Sequence, residues 1–165
     1  MTYSEDAGDI LRVLAKYARG IDRIDMALVR ECYWDDATDN HLVFAGGPDE
    51  FVAWAEAELQ RYGATGHFMA QSFLEIEADL AVVETPFRAW HAPADTTGSI
   101  FILNGRYLDL MERREGKWRI LRRDVVADLS ESYPYDPAIQ LSNGLSKGAL
   151  NRPDPSYEAF ARLRQ

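Results

Sequence analysis

From His67 onward the chain is written almost entirely in strand-forming residues. Four runs, "HFMAQSFLEIE", "LAVVETPFRAWHA", "SIFILNGRYLDLMERR" and "KWRILRRDVVADL", follow one another with only "AD", "PADTTG" and "EG" between them. β-Branched and aromatic side chains suit a pleated, half-buried surface, and such short connections join antiparallel neighbours. An antiparallel meander is therefore expected. The run from Ile100 carries apolar groups on both parities, with Ile100, Ile102, Leu108 and Leu110 alternating with Phe101, Leu103, Tyr107 and Met111. Such a strand is covered on both faces, so the sheet curves around helices and turns its back to a second layer or subunit. Pro86 lacks the amide hydrogen that a ladder needs, which puts its strand at an edge or bulges it there.

What the sheet wraps comes earlier in the chain. Ile10, Leu11, Leu14, Tyr17, Ala18 and Ile21 recur at three- and four-residue steps, the stripe of a helix from Ser4 to about Gly20, where the glycine suits its end. Asp25 can cap a short second helix in "MALVRECY", with Leu28, Cys32 and Tyr33 on it. "DDATDNHLVFAG" reads as a turn and a short strand. "GPDEFVAWAEAELQRYG" reads as a third helix, with Pro48 near its start and Phe51, Trp54, Ala55, Leu59 and Tyr62 on one face. Helices first and a sheet after make an α+β fold, a cone-shaped barrel of three N-terminal helices on a strongly curved, mixed, mainly antiparallel sheet. The mouth of that cone is a natural small-molecule pocket.

A chain of 165 residues with 47% hydrophobic content builds one such core. Residues 1–130 carry the barrel. Residues 131–165 hold four of the seven prolines and read as a tail that packs on the barrel or a neighbouring subunit, with a short helix near Tyr157 to Arg164. The 27 acidic against 18 basic residues give a net charge of -9, which repels nucleic-acid phosphates and anionic lipid. The opening "MTYSEDAGDI" lacks a signal-peptide pattern, and no window approaches the roughly 18 apolar residues of a membrane span, so a cytoplasmic protein is expected. Cys32 is the only cysteine; it excludes an internal disulfide and reads as a buried helical thiol.

The chain lacks the Gly-x-Gly-x-x-Gly, Gly-Lys-Ser/Thr and Gly-x-Ser-x-Gly signals of dinucleotide binding, nucleotide hydrolysis and serine hydrolysis. Its candidate chemistry lies in three histidines. His67 shares a strand face with Met69 and Gln71, where an imidazole serves as a general base or as a satisfied structural group. His91 shares parity with Phe87 and Ala89 and either points into the cone or closes its strand before Pro93. Asp39, His41, His67 and His91 are chemically suited to zinc or iron, but their spacing fits no tight ligand motif, and no metal is expected. Arg122 and Arg123 alternate equally well with their neighbours, so parity does not choose the inward arginine. Tyr33, Trp34, Trp54, Trp90, Phe101 and Tyr107 supply core, or the aromatic wall of a pocket. Asp22 is either helix punctuation or half of a catalytic pair.

The helix ending "YARGIDRID", then "CYWDDATDNHLVFAGG", "TGHFMAQSFLEIEAD" and "GRYLDLMERREGKWRILRRDV", taken in order over about residues 5 to 130, resemble the SnoaL-like branch of the nuclear transport factor 2-like superfamily. Within it the chain is most similar to the cofactor-free lyases: scytalone dehydratases, bile-acid 7-alpha-dehydratases and hexachlorocyclohexane dehydrochlorinases. The resemblance implies an Asp22–His67 dyad, with Tyr17 matching a tyrosine of the bile-acid enzymes, His91 a second histidine of scytalone dehydratase, and Arg123 an active-site arginine of the dehydrochlorinases. Ile21 stands where scytalone dehydratase has a tyrosine, and Asp39 where the dehydrochlorinases have a tryptophan, so the wall with Asp39 and His41 is more polar here. The implied activity is a dehydratase- or elimination-type lyase acting without metal or cofactor on a small hydrophobic cyclic or aromatic compound. Asp22, His67, Tyr17 and Arg123 would be catalytic, and His91, Asp39, His41, Tyr33, Trp54, Tyr107 and Phe101 would face the substrate. The branch also holds formaldehyde-releasing lyases of lignin-derived diaryl propanediols and isomerases and cyclases of steroid- or polyketide-like rings, and the wider superfamily holds non-catalytic ligand-binding or assembly modules, so these readings stand beside the lyase. A homodimer or homotrimer is implied.

Overall fold

The computed structural model of the protein describes residues 2–95, 98–135, 148–151 and 154–164. Helix α1 (Tyr3–Asp22) begins in a capping box: Thr2 Oγ1 accepts from the Glu5 amide, and the Glu5 carboxylate accepts from the Thr2 amide. It buries Ile10, Leu14, Tyr17 and Ile21 on one stripe, and it continues two residues beyond the expected end at Gly20. The stop comes at Ile24, which takes a left-handed φ of 49°. There the Ile24 amide donates to Ile21 and the Asp25 amide to Gly20, the paired bonds that close a helix end. Gly20 does a different job. A Cβ at this position would stand 2.6 Å from Val29 Cγ2, so the bare backbone is what lets α2 (Met26–Arg30) lie against α1.

Asp25 caps α2 by accepting from the Leu28 amide at 3.3 Å. Cys32 is buried, but in the turn after α2 rather than within a helix, and Tyr33 opens a strand. The stretch expected to be a turn and a short strand is the nine-residue strand β1 (Tyr33–His41), followed by β2 (Phe44–Gly46). Its polarity hid it: Asp35, Asp36, Thr38 and Asn40 are exposed, and one of its buried positions is the acid Asp39. Helix α3 (Pro48–Leu59) follows with Phe51, Ala55 and Leu59 buried.

The remaining strands are β3 (Tyr62–Met69), β4 (Phe73–Glu77), β5 (Leu80–Pro93), β6 (Ser99–Arg114) and β7 (Lys117–Pro134). They form one sheet in the order β2-β1-β7-β6-β5-β3, with β4 also paired to β5. Only β1 and β7 run parallel; the other pairs are antiparallel. The run "HFMAQSFLEIE" is thus two strands, broken at residues 70–72, and the first begins at Tyr62 rather than His67. Pro86 sits at neither an edge nor a bulge. It lies inside β5 where the strand changes partner: its carbonyl accepts from Ala70, and its missing amide hydrogen faces the gap between β3 and β4.

The inner face of the sheet, including Ala81, Val83, Phe87, Tyr107, Met111 and Ile120, packs with α1 and α3 into a single core. The outer face keeps Leu80, Val82, Phe68 and Phe73 exposed. Strand β7 continues to Pro134, four residues into the expected tail. Residues 136–147 of that tail lie outside the described residues. The chain ends in α4 (Pro155–Ala161) and a 3-10 turn (Arg162–Arg164), and α4 docks on the corner between α1 and α2. There Tyr157 donates to Asp25, Arg19 donates to Ser156, and Arg23 pairs with Asp154.

Two glycines of α1 should respond oppositely to alanine. Gly20→Ala forces a Cβ into Val29 and should lower stability by about 1–3 kcal/mol. Gly8 has nothing within 4 Å of an added Cβ, and Gly8→Ala should raise stability by about 0.5–1 kcal/mol. Thermal denaturation of both variants checks the pair.

Candidate active site

The last turn of α1 carries Asp22 to the inner side of β3, where His67 points inward. Asp22 Oδ1 lies 2.7 Å from His67 Nδ1, and Oδ2 accepts from the His67 backbone amide at 3.1 Å. A carboxylate can only accept, so this contact assigns the hydrogen to Nδ1 and leaves Nε2 as the ring's acceptor. The His67 side chain is 8% exposed.

His67 borders a cavity of about 230 Å³ between the helices and the sheet. Tyr17 and Ile21 of α1 form one side, Phe51, Trp54, Glu58 and Leu59 of α3 another, and Phe87, His91, Phe101, Leu103 and Tyr107 of β5 and β6 the back. His41 lines it from the end of β1 and Tyr62 from the start of β3. All three histidines of the chain therefore meet at one cavity.

Each histidine is held differently. His91 has Nδ1 2.9 Å from the Thr65 hydroxyl, lies over the Tyr62 ring at 4.7 Å and meets His67 edge-on at 5.7 Å. Burial, with the positive charge of His67 when it is protonated, pushes His91 down to about 4, so it stays neutral near pH 7. His41 has Nδ1 3.2 Å from Asp39 Oδ1, and the other oxygen of Asp39 accepts from the Tyr33 hydroxyl at 2.6 Å.

Behind the cavity lies a buried charge cluster. Arg123 is fully buried and forks onto Asp109 through two bonds of 2.7 Å. Its guanidinium also packs on the rings of Tyr17 and Tyr107, at 4.1 and 4.2 Å from their centroids. Burial pushes Asp109 up and works against the charge on Arg123, but the fork is the geometry of an ionised pair, and Asp109 holds the guanidinium charged. Burial raises Tyr17 and Tyr107 as well, so both phenols keep their protons.

Of the residues singled out from sequence, Tyr17, His41, Trp54, His67, His91, Phe101 and Tyr107 line the cavity. Asp22 stands behind His67, Asp39 and Tyr33 behind His41, and Arg123 behind the two tyrosines. The inward arginine is Arg123, while Arg122 is exposed and paired with Asp124. Parity failed there because β7 carries an extra residue, Leu121, between Ile120, opposite Met111, and Arg122, opposite Leu110. Trp34 and Trp90 lie away from the cavity. Sequence reasoning missed Thr65, Tyr62, Glu58 and Asp109. Thr65 shares parity with His67, and Asp109 is a lone acid on the inward parity of β6; both signals were available.

A sequence profile described as a SnoaL-like domain matches residues 2–124. The chain belongs to the SnoaL-like family. Solved structures repeat the fold of this SnoaL-like protein and its nuclear transport factor 2-like superfamily. A putative scytalone dehydratase from Novosphingobium aromaticivorans is 18% identical, covering 83% of this chain and 95% of its own, with a TM-score of 0.71. A type 2 hexachlorocyclohexane dehydrochlorinase is 16% identical, covering 86% and 96%, with a TM-score of 0.73. A protein from Kribbella flavida is 21% identical, covering 79% and 95%, with a TM-score of 0.72. At such identities the likeness establishes the fold and not the reaction. No curated protein matches the chain significantly. Among the described residues, no helix is long and apolar enough to cross a membrane, and no three metal-binding side chains are grouped to hold an ion.

His91 gives this SnoaL-like protein a distinct pH response. Its folded value of about 4 lies below its ordinary 6.5, so the unfolded chain takes up the proton first as pH falls. The stability of the neutral form is complete above pH 6.5 and lost progressively toward pH 4. Thermal midpoints should fall more steeply across that window in the wild-type protein than in His91→Gln.

Proposed function

We propose that the protein is a cofactor-independent lyase that eliminates a group from a small, largely hydrophobic cyclic or aromatic compound, using Asp22 and His67 as its dyad. The observation that carries this reading is the two-point grip of Asp22 on His67 at the wall of an aromatic cavity. Nε2 of His67 takes a proton from a substrate carbon. Asp22 holds the tautomer that leaves Nε2 free and compensates the imidazolium as it forms. A base positioned in this way contributes roughly 10² to 10⁴ in rate. Tyr17 and His91, both on the cavity wall, donate hydrogen bonds to charge that develops on the substrate, and Arg123 acts from behind by fixing Tyr17 and Tyr107. Other lyases of this fold, including the dehydratase and dehydrochlorinase structures named above, are the reason for choosing elimination. The catalytic body would be the barrel, which the expected boundary at residue 130 cuts four residues short of the end of β7, with α4 docked on it. The protein would work in the cytoplasm as a homodimer or homotrimer, the exposed outer face of the sheet meeting another copy.

Asp22→Asn and His67→Ala should each lower turnover of a ring-bearing substrate at least 100-fold, with thermal midpoints near that of the wild type. Full activity in either variant would remove the dyad from the mechanism. Product mass separates elimination from isomerisation, which leaves the mass unchanged.

A further inference from the structure

The cavity holds a second histidine–carboxylate pair that the dyad does not use. His41 lines the wall from β1, and Asp39 engages its Nδ1, leaving Nε2 for the cavity. Asp39 is 1% exposed and is itself fixed by the Tyr33 hydroxyl. A buried carboxylate needs its charge answered, and Arg123 is already forked onto Asp109. Asp39 instead accepts from the Tyr33 hydroxyl and faces the His41 ring, so a proton carried by that ring answers its charge. His67 is occupied as the base, and His91 is held neutral without a carboxylate partner. His41 remains. The groups around it are Asp39 on its own strand, Tyr107 and Asp109 on β6, Arg123 on β7 and Glu58 on α3.

We propose that His41, oriented by Asp39, is the second proton-transfer group of the cavity and protonates the departing oxygen, so that the site is fitted to expel water rather than halide. This rests on the elimination reading above. Nε2 of neutral His67 takes the proton from carbon, and the C–H electron pair becomes the new double bond. The C–O bond breaks with its pair going to oxygen, Nε2–H of the His41 imidazolium gives that oxygen a proton, and water departs. His67 ends protonated and His41 neutral, and proton exchange with solvent restores both. A halide leaves as a stable anion and needs no such donor, whereas hydroxide does.

Two probes yielding one product test this. The aldol of benzaldehyde with acetone must lose its β-hydroxyl as water, whereas the matching β-chloro ketone loses chloride. Both give benzylideneacetone, followed by its ultraviolet absorbance after subtraction of the uncatalysed rate. His41→Gln should lower kcat on the hydroxy ketone by roughly 10² to 10⁴ and shift the ratio of the two rates at least 100-fold against it. Asp39→Asn, a change in a positioning residue, should shift the ratio the same way through kcat rather than KM. His67→Ala should slow both probes together. If His41→Gln slows both equally or neither, or if the wild type converts only the chloro ketone, His41 is no acid and the dyad stands. If the wild type converts neither, elimination falls and this proposal falls with it.

Discussion

Arg123 has no exposed surface, and a guanidinium is stable away from water only where its charge is met on the spot. Asp109 meets it from the neighbouring strand, and the rings of Tyr17 and Tyr107 receive its flank. These four side chains come from α1, β6 and β7, so the contact fixes the first helix to the middle of the sheet. The same two tyrosines form part of the cavity wall. The cavity wall is therefore braced from behind by an ion pair that does not itself line the cavity.

The second fixed point is the end of α1. Ile24 turns the chain left-handed, Gly20 lets α2 close in, and Asp25 caps α2 and accepts from Tyr157 of α4. Asp22 sits in the turn that these contacts secure. Its carboxylate reaches both the ring and the backbone of a residue 45 positions away, which ties the position of the base to the stability of the helix end.

The class of fold was legible because long apolar strands with short turns leave few alternatives, and the buried stripe of α1 is nearly uninterrupted. Legibility failed where polar residues occupy inward positions. Strand β1 reads as a turn and a short strand because its inner face carries Asp39 and His41, a buried acid and a cavity-lining histidine in place of apolar residues. The arginine pair at 122 and 123 defeats parity because Leu121 bulges, and a one-residue insertion exchanges the two faces of a strand. The pairing of Asp22 with His67 follows from no local spacing; family resemblance placed the two together, and the fold supplies the contact. No local spacing brings the three histidines together either, because His41, His67 and His91 sit on three different strands; the resemblance implied one site for them, and the fold lines one cavity with all three.

Asp22 holds His67 with its hydrogen on Nδ1, which leaves the lone pair on Nε2 for the cavity. A two-bond ¹⁵N–¹H histidine correlation spectrum of the intact protein reads that tautomer directly. The expected result is a neutral His67 protonated at Nδ1, with that preference lost in Asp22→Asn. A His67 carrying its hydrogen on Nε2, or one whose tautomer is unchanged in Asp22→Asn, would contradict an Asp22-held base.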